Sequence, residues 1–279
     1  MAQNCSTHMA IYVCPRCQGR LARRAESLDC PACATRYPIL DGIPDFLAAD
    51  PGESSHPVLQ GVKLIDWLAP IYESKLWYPL VLNLYGGWRC TTLEKLVTQV
   101  SAIVGQVDGP VLDAACGPGT FGRRVAAQAR HVYGIDISLG MLRQGATYVE
   151  REQLNTVHFA RAQVEALPFP DAAFGGAICC GSLHLFEDTV QALREIGRTM
   201  AGGAPLAVMT FFAGDGGVLQ FSRIREHVRE DHGAHIFEIP ELERYLAEAG
   251  FEAFRPETMG SLIVFSTRRS DEAQGKPKR

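Results

Sequence analysis

From residue 109 onward the chain alternates between short apolar runs and longer stretches whose apolar residues recur every three to four positions. Val111–Asp113, His131–Ile137, Thr156–Arg161, Ala173–Cys180 and Pro205–Phe212 have the length and apolar character of strands covered on both faces. Between them, Phe121–Arg130, the stretch that Ser138 is placed to cap, Thr189–Met200 and Ile239–Ala249 carry helical spacing. Gly202-Gly203 and Gly250 stop the last two. Phe251–Glu257 and Leu262–Thr267 predict a closing hairpin. Strands alternating with helices in this way predict an α/β domain over residues 109–268. Ala213–Gly233 breaks the rhythm as an irregular, charged insertion, with RIREHVRED reading as a solvated helix face. Its histidines, His227, His232 and the following His235, do not repeat with carboxylates at ligand spacing.

The N-terminal part follows another pattern. Residues 62–108 are rich in Trp, Tyr and Leu, with helical spacing at Leu64, Trp67, Leu68 and Ile71, and predict a helical lid. Residues 48–61 have the Pro, Gly and Ser content of a linker, and 269–279 the polarity of a disordered tail. Residues 1–47 hold Cys14, Cys17, Cys30 and Cys33 as C-x2-C-x12-C-x2-C. Each pair suits a tight turn, and four thiolates favour tetrahedral zinc over harder metals, with rubredoxin-like iron as the alternative. Four protein ligands leave no open position, so the ion is read as structural, the staple of a segment too small to build its own core.

Candidate chemistry concentrates in VLDAACGPGTFG, Val111–Gly122. A strand, a glycine-rich turn and a helix start expose backbone N–H groups to an anionic ligand, and Gly117 and Gly119 let that ligand approach the main chain. Gly117, Gly119 and Gly122 also spell the dinucleotide fingerprint G-x-G-x-x-G. Asp113 separates the two readings: its carboxylate would repel a pyrophosphate but suit the ammonium of a methionine moiety. Asp136 ends the second strand, 23 residues past Asp113, where an acidic side chain can accept both ribose hydroxyl protons.

The chain's 279 residues allow one large and one small domain. A net charge of −4 gives no bulk attraction for nucleic acid or an anionic membrane. No apolar run approaches the ~18 residues of a membrane span. The N-terminal residues lack the order of a secretory signal, and nine cysteines, four at metal spacing, suit a reducing, cytoplasmic setting.

On these residues the sequence resembles the class I S-adenosylmethionine-dependent methyltransferases, whose first motif looks like Asp113-x-x-Cys116-Gly117-x-Gly119. The resemblance implies a Rossmann-like seven-stranded α/β fold, here with an N-terminal zinc ribbon and a helical lid, and S-adenosyl-L-methionine as cofactor. It places Ile137 and Met141 beside the adenine. Ala162–Pro170 is similar to the family's G-D-A-E-x-L-P-F-P, with Gln163 where Asp is usual; Gln keeps an acceptor for the adenine amino group, and a backbone N–H at Val164 meets the ring. Leu68-Ala-Pro-Ile-Tyr72 resembles the A-P-x-Y segment of quinone-biosynthesis methyltransferases, which makes Tyr72 a lid residue over the cofactor or else an aromatic of the helical pair. His184 follows the strand whose end meets substrate in this family; it is either a general base or a structural histidine bonded to a carbonyl. A small lipophilic or aromatic acceptor suits the aromatic lid and the acidic chain. The alternatives are an RNA methyltransferase gripping its substrate through the ribbon, where residues 11–47 hold five arginines against four acids, and a cofactor-retaining fold with a non-methylating reaction. Oligomeric state is not encoded in any motif.

Overall fold

In the computed structural model, residues 8–47, 72–74, 76–128 and 131–271 are described, with only the backbone at 231 and 232. The expected linker, the first ten residues of the lid with Leu64, Trp67, Leu68 and Ile71, and residues 272–279 lie outside the described residues.

The N-terminal segment forms a four-stranded antiparallel sheet, β1 (Ala22–Arg23), β2 (Ser27–Asp29), β3 (Arg36–Leu40) and β4 (Ile43–Pro44), in that order. The residue after each C-x2-C pair, Gln18 (φ 58°) and Ala34 (φ 57°), is left-handed, which turns the backbone around the sulfurs. Next come α1 (Trp77–Val81), a π-helical turn through Gly86, and α2 (Leu93–Val104), which Thr92 caps by accepting from the Lys95 N–H.

The main sheet contains β5 (Val111–Ala114), β6 (Val132–Asp136), β7 (Val157–Arg161), β8 (Gly176–Cys180), β9 (Pro205–Phe211), β10 (Phe251–Met259) and β11 (Leu262–Arg269). Its order is β10-β11-β9-β8-β5-β6-β7, parallel throughout except for the antiparallel hairpin strands β10 and β11. Between strands lie α3 (Gly122–Val125), α4 (Leu139–Arg151), α5 (Thr189–Thr199), α6 (Ser222–His232) and α7 (Ile239–Glu248). The pleat sends Val111, Val132, Ile178, Ala207 and Val264 onto Leu96, Val100 and Val104 of α2 and Leu142 of α4. It sends Leu112, Tyr133, Ile135, Cys179, Leu206 and Val208 onto Leu193 and Ile196 of α5 and Leu242 and Leu246 of α7. Both faces are thus covered, which is why these strands read as apolar runs.

The RIREHVRED stretch of the insertion is helical as expected, over Ser222–His232, and is ended by left-handed Gly233 (φ 64°). Three details depart from the sequence pattern. The helix expected over Phe121–Arg130 shrinks to the four residues of α3. Arg269, expected in the tail, is buried at the end of β11, where its guanidinium donates to the Ala249 and Gly250 carbonyls and caps α7. Helix α2, expected in the lid, packs its apolar stripe under the sheet.

Candidate functional site

Between β5 and β8 the chain order reverses, and the carboxyl ends of the strands open there into a cavity of about 490 Å³. Asp136, the last residue of β6, lines it. Its Oδ2 accepts from the Gly117 N–H at 2.7 Å and its Oδ1 from the Ser138 N–H at 2.8 Å, so two separate loops orient one carboxylate at the cavity wall. A carboxylate offers about four lone-pair sites and can accept from a diol.

Asp113 behaves differently. It is 2% exposed and turns inward, its Oδ2 accepting from the Gly122 N–H at 3.0 Å. Burial pushes its carboxyl up to about 8, against the pull of that N–H. The expected contact with a ligand ammonium is therefore not what the structure builds: Asp113 ties the glycine loop to its strand, and its contrast with a pyrophosphate loses force. Gly122 is required by the same contact, since a Cβ there would lie 2.5 Å from Asp113 Oδ2. Gly117 lines the cavity, whereas Gly119 (φ 75°) is packed beneath it with its Cα hydrogens facing the Phe159 ring.

One side of the cavity is apolar: Ile137, Met141 and Val164, with Met141 2% and Val164 3% exposed. Ser138 holds the start of α4 there by accepting from the Met141 N–H at 3.0 Å. Gln163 is an exposed residue at the rim of this side. The lining also holds the aromatic rings of Tyr72, Trp77, Tyr78, Phe121 and Phe186. Tyr72 sits 5.3 Å from the Trp77 ring and 5.8 Å from Tyr78, and burial, with the Asp136 charge adding to it, pushes its hydroxyl up to about 12. The next residue, Glu73, pairs with Arg123 of α3 at 2.5 Å. Arg123 is 3% exposed, also pairs with Glu152, and lies over the Tyr148 ring at 4.6 Å. Glu73 further accepts from the Thr120 hydroxyl. This lid segment is latched to the glycine loop.

His184 does not reach the cavity. It is 9% exposed, its Nδ1 lies 3.1 Å from the Thr210 hydroxyl, and its ring meets Phe211 edge-on. Burial depresses it to about 4, leaving a neutral ring at neutral pH. The sequence expectation of a residue facing the reacting group is corrected. The chain beyond it supplies Leu185, Phe186, Glu187 and Asp188 to the cavity, and α5 adds Gln191. Their signal was position alone, just past the carboxyl end of β8; Thr120 and Phe121 had none beyond adjacency to the glycine loop.

In the ribbon the ligand atoms of Cys14, Cys17, Cys30 and Cys33 lie within 4.8 Å of one another. Cys14 and Cys33 Sγ are 3.6 Å apart, and Cys17 and Cys30 Sγ 3.5 Å. A tetrahedron with Zn–S bonds of ~2.3 Å has edges of about 3.8 Å, so the four sulfurs fit zinc. Hydrogen bonds from Thr35 lower the pKa of the Cys33 thiol.

Residues 111–203 match the family model described as a methyltransferase domain. An uncharacterised methyltransferase of Mycobacterium bovis is 33% identical over 101 residues, 36% of this chain and 50% of that protein. A demethylmenaquinone methyltransferase of Listeria welshimeri is 28% identical over 148 residues, 52% of this chain and 59% of that protein. The chain spans about half the length of the curated relatives it matches. The crystal structure of the cyclase SpnF superposes with a TM-score of 0.63 at 20% identity, over 77% of this chain and 96% of that one, a likeness of fold. The fold is the Rossmann-like α/β fold of methyltransferases.

Proposed function

We propose that this chain, an S-adenosylmethionine-dependent methyltransferase by its domain match, relatives and fold, passes the methyl group to a small lipophilic or aromatic acceptor. The observation that carries the reading is the cavity itself. An oriented carboxylate, Asp136, shares the cavity lining with apolar side chains (Ile137, Met141, Val164) and aromatic ones (Tyr72, Trp77, Phe186).

In this reading Asp136 holds the ribose diol, Ile137, Met141 and Val164 flank the adenine, Gln163 faces its polar edge, and Gly117 lies under the methionine part. The cofactor, when bound, supplies an electrophilic methyl on a sulfonium. The protein's work is to place a nucleophile in line with it and to keep water out, which effective-concentration arguments make the larger share of such catalysis. Tyr72 and the other aromatic rings exclude water, and the latch through Glu73 and Arg123 keeps Tyr72 in place. An acceptor that binds against Trp77 and Phe186 buries ring or chain surface rather than phosphates. The quinone-related name of the Listeria relative agrees with such an acceptor. In this reading Cys14, Cys17, Cys30 and Cys33 hold one structural zinc, the domains divide as the sequence pattern predicts except that α2 and Arg269 belong with the main sheet, and the setting is the cytoplasm.

Titration calorimetry tests the cofactor. Asp136→Ala should weaken S-adenosylmethionine by at least tenfold, roughly 1.4 kcal/mol, with the fold intact. Equal affinity in the variant, or tighter binding of NADH than of S-adenosylmethionine by the wild type, would overturn the assignment. For the acceptor, label from the methyl group should enter the solvent-extractable small molecules of a cell extract. Label in RNA, together with RNA affinity that falls steeply with salt, would move the substrate to RNA.

A further inference from the structure

The ribbon is built into the wall of the cavity. Strand β7 is the edge of the main sheet, and the ribbon covers that edge: Asp45 forms a parallel bridge with Arg161, and the Phe46 N–H donates to the Arg161 carbonyl at 2.7 Å. The Arg161 guanidinium points both ways, donating to Asp45 Oδ2 at 3.0 Å and to the Ile137 carbonyl at 2.9 Å. The pair is shielded, with side chains 14% and 9% exposed. Seven residues on, the Val13 N–H donates to the Pro168 carbonyl at 3.0 Å. The segment 162–167, which brings Gln163 and Val164 to the cavity, is therefore held at both ends by the ribbon.

Both holding points are tied to the sulfur cluster. Val13 directly precedes Cys14. Asp45 and Phe46 follow β4, which pairs with β3, and Tyr37 of β3 places its hydroxyl 3.1 Å from Cys14 Sγ. Helix α5 gives the downstream end a second hold, since Glu195 accepts from the Leu167 N–H at 2.9 Å. The upstream end has a second hold as well, the Ala162 N–H donating to the Asp136 carbonyl at 3.1 Å, and the Arg161 guanidinium adds the link from the ribbon to Ile137.

We propose that the ribbon is a metal-dependent clamp on the cofactor site, in which Asp45 and Arg161 position Ile137 and the 162–167 segment, so that zinc and S-adenosylmethionine bind with positive coupling. This rests on the cofactor and zinc readings above. Ordering the ribbon orders the adenine wall before the ligand arrives, and linkage makes the effect reciprocal: zinc tightens the cofactor by the factor by which the cofactor tightens zinc.

The test uses the full chain loaded with zinc. Calorimetry with S-adenosylmethionine and with adenosine is run beside zinc extraction by a chelator, with and without S-adenosylmethionine. Asp45→Asn retains the side-chain size and removes the charge opposite Arg161. It should keep one zinc yet bind both ligands about fivefold or more weakly, the low end of measured couplings. S-adenosylmethionine should protect zinc from the chelator in the wild type, and that protection should shrink in the variant. A merely structural loss would lower zinc retention equally with and without ligand. Should Asp45→Asn fail to fold, Arg161→Lys carries the same measurement, since it keeps the charge but not the two-way reach. A wild type that binds zinc and S-adenosylmethionine with no mutual effect overturns the clamp alone, as does a variant with wild-type affinity. A zinc-loaded wild type that binds no S-adenosylmethionine overturns the cofactor reading and the clamp with it.

Discussion

Three ionisable residues sit at strand ends or just past them, and their surroundings give them different work. Asp136 is oriented by two backbone N–H groups at the cavity, whereas Asp113 is sealed under Gly122 and kept neutral at neutral pH by burial. His184 is a buried, uncharged ring on Thr210. Its titration makes a prediction of stability. The unfolded chain takes up a proton at His184 near the ordinary value of 6.5, and the folded chain only near 4. The folded state therefore has its full stability above pH 6.5 and loses it as the pH falls toward 4, by up to about 1.4 kcal/mol per unit. His184→Gln removes that dependence. In urea titrations the difference between variant and wild type should shift in the variant's favour by on the order of 2 kcal/mol between pH 6.5 and 5. Parallel stability curves would mean that His184 is solvated.

Among the elements, those with a strong local period were legible. β6 through β9, α5 and α7 all fall within a few residues of their expected bounds, because an apolar run or a helical stripe is a property of consecutive residues. The segment after the glycine loop was not. Within its short helix Gly122 approaches Asp113 and Arg123 meets Glu73, a residue 50 positions earlier. No pattern in the segment itself signals that partner. The latch carries a prediction of its own. Arg123→Met leaves Glu73 and Glu152 facing each other without their cation, and breaking a buried pair costs about 3–5 kcal/mol. Equilibrium denaturation should show a loss of about 3 kcal/mol, since Glu152 is partly exposed and can relax. An unchanged midpoint would show that the lid segment is not held there.

Across the whole molecule the ribbon and the seven-stranded sheet share one core. Tyr12 of the ribbon lies 5.3 Å from Phe46 and 5.3 Å from Phe169, and edge-on to Tyr133 of β6 at 6.2 Å. Metal analysis should return about one zinc per chain if the four thiolates form one site. Stripping that zinc should lower the melting temperature of the entire chain, because an unfolded ribbon uncovers Phe169 and Tyr133 together with the β7 edge. A metal-free chain with an unshifted melt would contradict this. The sequence by itself determined the α/β alternation, the spacing of the four cysteines, the glycine loop and the carboxylate at the end of β6, because each is written in neighbouring residues. Only the tertiary structure decided which of two strand-end aspartates faces the cavity, that Phe186 rather than His184 reaches it, and that the ribbon grips β7. Those outcomes turn on pleat direction and on contacts such as Asp45 with Arg161, 116 residues apart, where burial and packing choose between groups that local sequence leaves equivalent.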